Sequence, residues 1–190
     1  MDGDSVGAYL ASLPRGLGSY PQCTSKATSV TFELERRPTP ARPHLPEEVR
    51  HILLHPPLSN AWIPTTVFVA TTLAIEAHHG ITDETLAIES TDAMIASPLY
   101  GLMLRMLTPS MILRGGAATW NLFHRGTTLR ADRIGAHLEA RMSFPVGLFP
   151  LEVLSGFAAG FQRIVGASWK KDAVVRLVDH GPTFAVYRLT

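Results

Sequence analysis

The chain has 190 residues, 46% of them apolar and 17% charged, and a formal net charge of +1. That length and composition describe a globular chain able to bury roughly two-thirds or more of its unfolded surface, and the small net charge argues against dedicated nucleic-acid binding, which usually shows a basic stripe and a much higher pI. The charge is nonetheless uneven: residues 1–123 hold 8 basic and 11 acidic side chains, or −3, and residues 124–190 hold 9 and 5, or +4.

Cys23 is the single cysteine, which leaves no partner for an intrachain disulfide and suits a reducing, cytoplasmic setting. Met1-Asp2-Gly3-Asp4 is acidic where a secretory signal carries positive charge. The longest stretch without Lys, Arg, Asp or Glu, His51 to Ile75, is interrupted by Pro56, Pro57 and Pro64, and its helical part is too short to span a bilayer. No membrane partner is expected.

Residues 1–44 read as an irregular, proline-rich arm. Val6 to Leu13 has the makings of a short helix and Ser29 to Glu35 alternates like a short strand. Pro38, Pro40 and Pro43 then make an extended connector in which Arg36, Arg37 and Arg42 are solvated. Residues 45–126 read as a helical layer. Pro46 opens a helix with Glu47 and Glu48 in its first turn, where the helix dipole favours anions. Trp62-Ile63-Pro64 leads into a buried helix from Thr65 to His79, stopped by Gly80. Thr82 caps the next helix. Pro98 kinks it or starts another, with Leu99, Leu102, Met103 and Met106 central. Pro109 opens a further helix to His124 that tolerates Gly115-Gly116.

Residues 127–190 read as a ββαββ unit. Leu129 and Ala131 alternate with Thr128, Arg130 and Asp132. Beyond the turn at Gly135, Leu138, Ala140, Met142 and Phe144 alternate with His137, Glu139, Arg141 and Ser143, so the pair is a half-buried hairpin. Pro150 opens a helix with an apolar stripe from Leu151 to Val165, stopped by Gly166. Asp172 to Val178 and Thr183 to Leu189 form a second hairpin around His180-Gly181-Pro182, with Phe184 and Val186 on one face. The expected fold class is α+β: one domain, with a four-stranded antiparallel sheet, one helix across its apolar side and a helical layer behind.

Few motifs carry chemistry. Walker A, G-x-G-x-x-G, G-x-S-x-G, H-E-x-x-H and C-x-x-C sequences are all missing, which disfavours nucleotide hydrolysis, Rossmann redox chemistry, esterase and zincin activity. His78-His79 are adjacent and point about 100° apart, unlike the i, i+4 pair of a zinc helix, and no metal or other cofactor is expected. Cys23 has no glycine-rich elbow or helix N-terminus beside it to lower its pKa and reads as inert. Glu47-Glu48 and the i, i+3 pair Glu89/Asp92 read as solvated helix faces. Trp62 and Trp120 read as core, Trp169 as the exposed tryptophan able to stack on a ligand. Gly156 and Gly160, on the back of the carboxy-terminal helix with Glu152 and Arg163, would admit a close-packed helix from this chain or from a second copy in a homodimer.

The most informative constellation is the polar face of the sheet: Arg130, Asp132, His137, Glu139, Arg141 and Ser143. It reads either as a solvated face laced by cross-strand ion pairs or as a ligand surface. In the second reading Arg130 and Arg141 fork a carboxylate or phosphate, Glu139 accepts, and His137 and Trp169 complete the site. A sheet edge could also take up a peptide strand.

Leu45-Pro46-Glu47-Glu48-Val49-Arg50, Trp62-Ile63-Pro64 before a long helix, the helical middle and the terminal hairpin–helix–hairpin together resemble a paralogous family of myxobacteria whose members have no assigned function. The likeness runs over Phe32 to Leu189 and rests on element order. In outline the arrangement is also similar to the four-vinyl-reductase and haem–nitric-oxide-binding folds, which hold hydrophobic molecules or haem between helices and sheet. The tyrosine–serine–arginine triplet of the haem branch is not matched at Tyr100 or Tyr187, and the cysteine-rich tail of the reductase branch is absent. The expected function is a non-catalytic binding or accessory protein that holds a peptide segment or small molecule on the sheet and in the helix–sheet cleft. The resemblance to the myxobacterial family implies that such a protein would assist peptide natural-product biosynthesis. The alternatives are an enzyme using His124, His137 or Glu139 in acid–base catalysis, and a dimeric signalling or scaffold protein.

Overall fold

A computed structural model gives the fold and describes residues 5–97, 119–135, 137–168 and 174–190. The expectations placed on Pro98 to Met106, on Pro109 and on Gly115-Gly116 lie outside these residues, as do those on Trp169 and Asp172.

The amino-terminal arm is more ordered than its composition suggests. It holds α1 (Ser5–Ser12), a 3₁₀ turn (Gly16–Gly18), β1 (Thr24–Lys26) and α2 (Thr28–Arg36). Tyr9 Oη donates to the Leu148 carbonyl at 2.9 Å and Tyr20 Oη to that of Val146 at 2.7 Å, tying the arm to the loop after the first hairpin. The strand expected at Ser29–Glu35 is α2 instead. Ala27, Val30, Thr31 and Leu34 are the buried positions, and i, i+3, i+4, i+7 is helical spacing. Buried Glu33 is held by Arg37 one turn on, so a charged residue sits where the alternating reading needs a solvent-facing one.

In the helical layer, α3 (Glu47–Leu54) follows Pro46 and α4 (Thr65–His79) runs through the centre, with every residue from Thr65 to Ile75 buried. A threonine-rich helix tolerates this because Thr71 and Thr72 return their hydroxyl protons to the Val67 and Phe68 carbonyls at 2.8 and 3.1 Å. Gly80, at φ 65°, closes α4 with its N–H on the Glu76 carbonyl. The Pro-rich connector docks here: Arg42 donates to His78 Nδ1 and Thr39 bonds His79 Nε2, at 3.2 and 3.1 Å. Thr82 caps α5 (Asp83–Ala96) through the Thr85 N–H. No helix among the described residues is long and apolar enough to cross a membrane.

Two antiparallel sheets complete the fold. The smaller, β2-β1-β3, joins β1 to β2 (Trp62–Pro64) and β3 (His124–Arg125). His124 is therefore a strand residue, the helical turn before it ending at residue 123. Trp62 lies half-buried here, with Arg125 over its ring at 3.9 Å and Lys26 at 4.6 Å. Trp120 is core, as expected, and its Nε1 donates to Thr127 Oγ1 at 2.9 Å.

The larger sheet has the order β4-β5-β7-β6, from β4 (Thr128–Ile134), β5 (His137–Ser143), β6 (Val175–Gly181) and β7 (Phe184–Leu189). Its inner face, including Leu129, Met142, Ala185 and Tyr187, is buried beneath α6 (Leu151–Ser168), which runs past Gly166. Tyr187 Oη donates to the Leu154 carbonyl at 3.2 Å and the Tyr187 ring meets Phe161 edge-on, so packed side chains fill the space between helix and sheet. The back of α6 carries the glycines, and the helix that uses them is α5: a Cβ on Gly156 would stand 2.6 Å from Asp83 Oδ2, and one on Gly160 3.3 Å from Thr91 Oγ1. Arg163 pairs with Asp92 across the same contact. The glycine stripe is thus occupied within the chain.

Candidate binding face

Strand register determines what the outer face of the larger sheet presents. Thr128 pairs with Ser143, Arg130 with Arg141 and Asp132 with Glu139 across β4 and β5; Ser143 pairs with Phe184, Arg141 with Val186 and Glu139 with Arg188 across β5 and β7. Arg188 in turn faces Arg176 and Val186 faces Asp179 on β6. One row across the sheet is therefore Arg130, Arg141, Val186 and Asp179, and the next is Asp132, Glu139, Arg188 and Arg176. Paired residues point to the same side, so four arginines share this face. Arg130, Arg141 and Arg176 are exposed.

The acids are not spread evenly among the arginines. Glu139 Oε1 accepts from Arg188 Nε at 3.0 Å and Nη2 at 2.8 Å, and His137 Nε2 stands 3.3 Å away. The Arg188 guanidinium holds the Glu139 carboxyl below the usual carboxylate range. With Glu139 committed to Arg188, Arg130 and Arg141 oppose each other directly, and neither forms an ion pair among the described residues. Arg141 is oriented by Phe184, whose ring centroid lies 4.3 Å from its Cζ. The paired hydroxyls of Thr128 and Ser143 stand in the adjoining row. Like charges facing across a ladder are destabilising; an anion between them removes that cost and accepts from both guanidinium forks and the hydroxyls.

The structure thus brings Arg130, His137, Glu139 and Arg141 onto one face, while Trp169 lies outside the described residues. Sequence reasoning missed Arg188, Arg176 and the role of Phe184. Phe184 and Val186 lie on this outer face, and Ala185 and Tyr187 are the inward residues of β7. The alternation of β7 holds that signal, but the pairing that gives it meaning joins residues 49 apart, Glu139 and Arg188.

Other candidates differ. His124 is buried, stacked on Trp120 at 4.0 Å with Phe68, Phe149 and Phe157 edge-on around it. Its Nδ1 bonds Ser25 Oγ at 3.0 Å, and Ser25 Oγ bonds Thr65 Oγ1 at 2.9 Å. Burial pushes its pKa down to about 3, so it is a neutral core histidine, shielded from solvent. Cys23 is buried, its Sγ donating to the Gly126 carbonyl at 3.4 Å, and burial raises its pKa. Glu89 and Asp92 are not free: Arg36 and Arg37 take the first and Arg163 the second. A carboxyl pair invisible in the sequence, half-buried Glu76 and buried Asp83, lies where α4, α5 and α6 meet. Burial first, then the neighbouring carboxyl, pushes Glu76 up to about 9.

A surface groove of about 620 Å³ runs between α3 and the β2–α4 junction, where Glu47, Glu48 and Arg50 mix with Ile63 and Val67. It presents both signs of charge together and contains no residue of the larger sheet. Among the described residues no group of three or more His, Cys, Asp or Glu side chains is placed to hold a metal ion. Comparison with models of known protein families, with curated proteins and with solved structures finds no match to the chain. The comparisons neither support nor contradict the resemblance to the myxobacterial family and to the haem-binding outline.

Proposed function

We propose that this chain is a non-catalytic binding protein that holds a carboxylate-bearing ligand, a peptide segment or a small acid, on the outer face of its four-stranded sheet. The observation that supports this reading is the Arg130–Arg141 pair: two exposed arginines, each carrying a guanidinium fork, paired in register across β4 and β5. The nearest acid of their hairpin's second strand, Glu139, is already engaged by Arg188. Two such forks side by side suit the planar, two-oxygen geometry of a carboxylate. His137 and Glu139 adjoin the arginines and shape the lower border of the site.

The test is a thermal-shift screen of the purified chain with glutamate-bearing peptides against the same peptides carrying glutamine. A ligand that binds only the native state at one hundred times its Kd adds about 2.7 kcal/mol of stability. The glutamate series should raise the melting temperature, the glutamine series should not, and the Arg130→Ala/Arg141→Ala double variant should lose the response while melting normally unliganded. Equal responses to both series, or an undiminished response in the double variant, would overturn the proposal.

A further inference from the structure

The two edges of the larger sheet are built differently. β6 is interrupted: its register with β7 shifts between Leu177 and Asp179, leaving Val178 unpaired in the ladder and 41% exposed. A bulge of this kind twists an edge away from further pairing. β4 has no such device. Its seven residues pair in unbroken register with β5 from Thr128↔Ser143 to Ile134↔His137, it contains neither proline nor bulge, and among the described residues no strand pairs with its other side. What β4 offers along that side is a pattern rather than a blank: Thr128, Arg130, Asp132 and Ile134 on the outer face, with Arg130 and Asp132 exposed and Ile134 49% exposed.

We infer that β4 takes up an extended peptide segment as a fifth, antiparallel strand, and that Arg130, Asp132 and Ile134 read its side chains. This rests on the sheet-face reading above and names its ligand more closely. Backbone hydrogen bonds along the edge supply affinity, and side chains at alternate positions supply choice. In an antiparallel strand the residue facing Ile134 comes first, that facing Asp132 two later and that facing Arg130 two later again. Cross-strand complementarity therefore calls for an apolar, a basic and an acidic residue at alternate positions, in that order. The acidic residue carries its carboxylate to the Arg130–Arg141 pair. Mixed charge along the edge also works as selection, since a segment of the wrong pattern places like charges opposite one another.

The experiment is a fluorescence-anisotropy titration of the full chain with a capped peptide of seven residues, matching the length of β4. It alternates threonine with, in order, isoleucine, lysine and glutamate. Two further peptides carry N-methyl groups on alternate residues, one in each frame. A strand added to one edge directs alternate N–H groups at its neighbour. One methylated frame should therefore abolish binding while the other leaves it within about twofold, and exchanging lysine and glutamate should weaken it by about tenfold or more, a charge contact's worth. If both methylated peptides bind like the parent while Arg141→Ala still weakens all three, strand addition fails and the carboxylate-binding face stands. If the parent peptide binds equally well to wild type and Arg141→Ala, the face reading fails with it.

Discussion

Glu76 and His124 place opposite demands on solution pH. Glu76 sits beside Asp83 at the α4–α5 corner, with Glu152 adding negative charge near both and Glu84 near Asp83; burial raises both carboxyls, Asp83 to about 7 and Glu76 to about 9. A folded-state pKa above the unfolded value means that the stability it contributes is complete below the ordinary 4.5 of a glutamate and is lost as pH rises toward 9. His124 runs the other way: with a folded pKa of about 3 against 6.5, its contribution is present above 6.5 and is lost as pH falls below it. Above the ordinary 4.5 of a glutamate the two carboxyls together outweigh His124, so the stability–pH curve is expected to peak near about pH 4 and to decline on both sides. Glu76→Gln should flatten the alkaline limb, leaving melting at about pH 4 nearly unchanged and raising it at about pH 9; His124→Gln should flatten the acid limb. Melting temperatures of the three proteins across pH 4 to 10 check both signs, and an alkaline limb unchanged in Glu76→Gln would remove the carboxyl pair from the account.

The elements are joined by a small number of decisive contacts. Arg37 bridges α2 to α5 through Glu33 and Glu89, and Glu33 is 2% exposed. Arg37→Ala strands that carboxylate, and the expected cost is about 2–3 kcal/mol, below the ~3–5 of a fully buried pair because the Arg37 side chain keeps 20% of its surface in water. Glu33→Gln in the same background should recover part of the loss in urea denaturation. Two glycines of α6 give a contrasting pair. Gly156→Ala drives a Cβ against Asp83, whose backbone oxygen would lie at 3.1 Å and carboxyl oxygen at 2.6 Å, and overpacking of that kind costs about 1–3 kcal/mol. Gly166→Ala meets nothing within 4 Å and should stabilise by up to about 1 kcal/mol through helix propensity alone. At this scale the sequence is legible where one period dominates. The ββαββ unit follows from alternation in β4 and β5 and from the apolar stripe of α6, and the caps at Thr82 and Gly80 are local chemistry. β1, β2 and β3 are two or three residues long and show no period at all. α2 was obscured by a buried glutamate whose justification lies in Arg37 and α5.

Across the whole molecule one apolar core runs from Val6 of the first helix to Tyr187 of the last strand, drawing in Val69 of α4, Leu86 of α5 and Met142 of the sheet. α6, backed by α5, covers the inner face of the larger sheet, and the outer face carries four of the arginines that give the carboxy-terminal third its positive charge. The residues of this face were legible as one constellation because strand alternation sorts them. Their rows were not, because register across β5, β7 and β6 is a long-range property set by packing and by the bulge in β6. The most direct measurement is a calorimetric charge exchange at the centre of the face. The threonine-alternating peptide, with glutamate or with lysine at the position facing Arg130, is titrated into wild type and into the Arg130→Glu/Arg141→Glu double variant. The glutamate peptide should bind wild type and not the variant, and the lysine peptide should do the reverse. A glutamate peptide that binds both proteins with the same affinity would contradict a carboxylate held between Arg130 and Arg141.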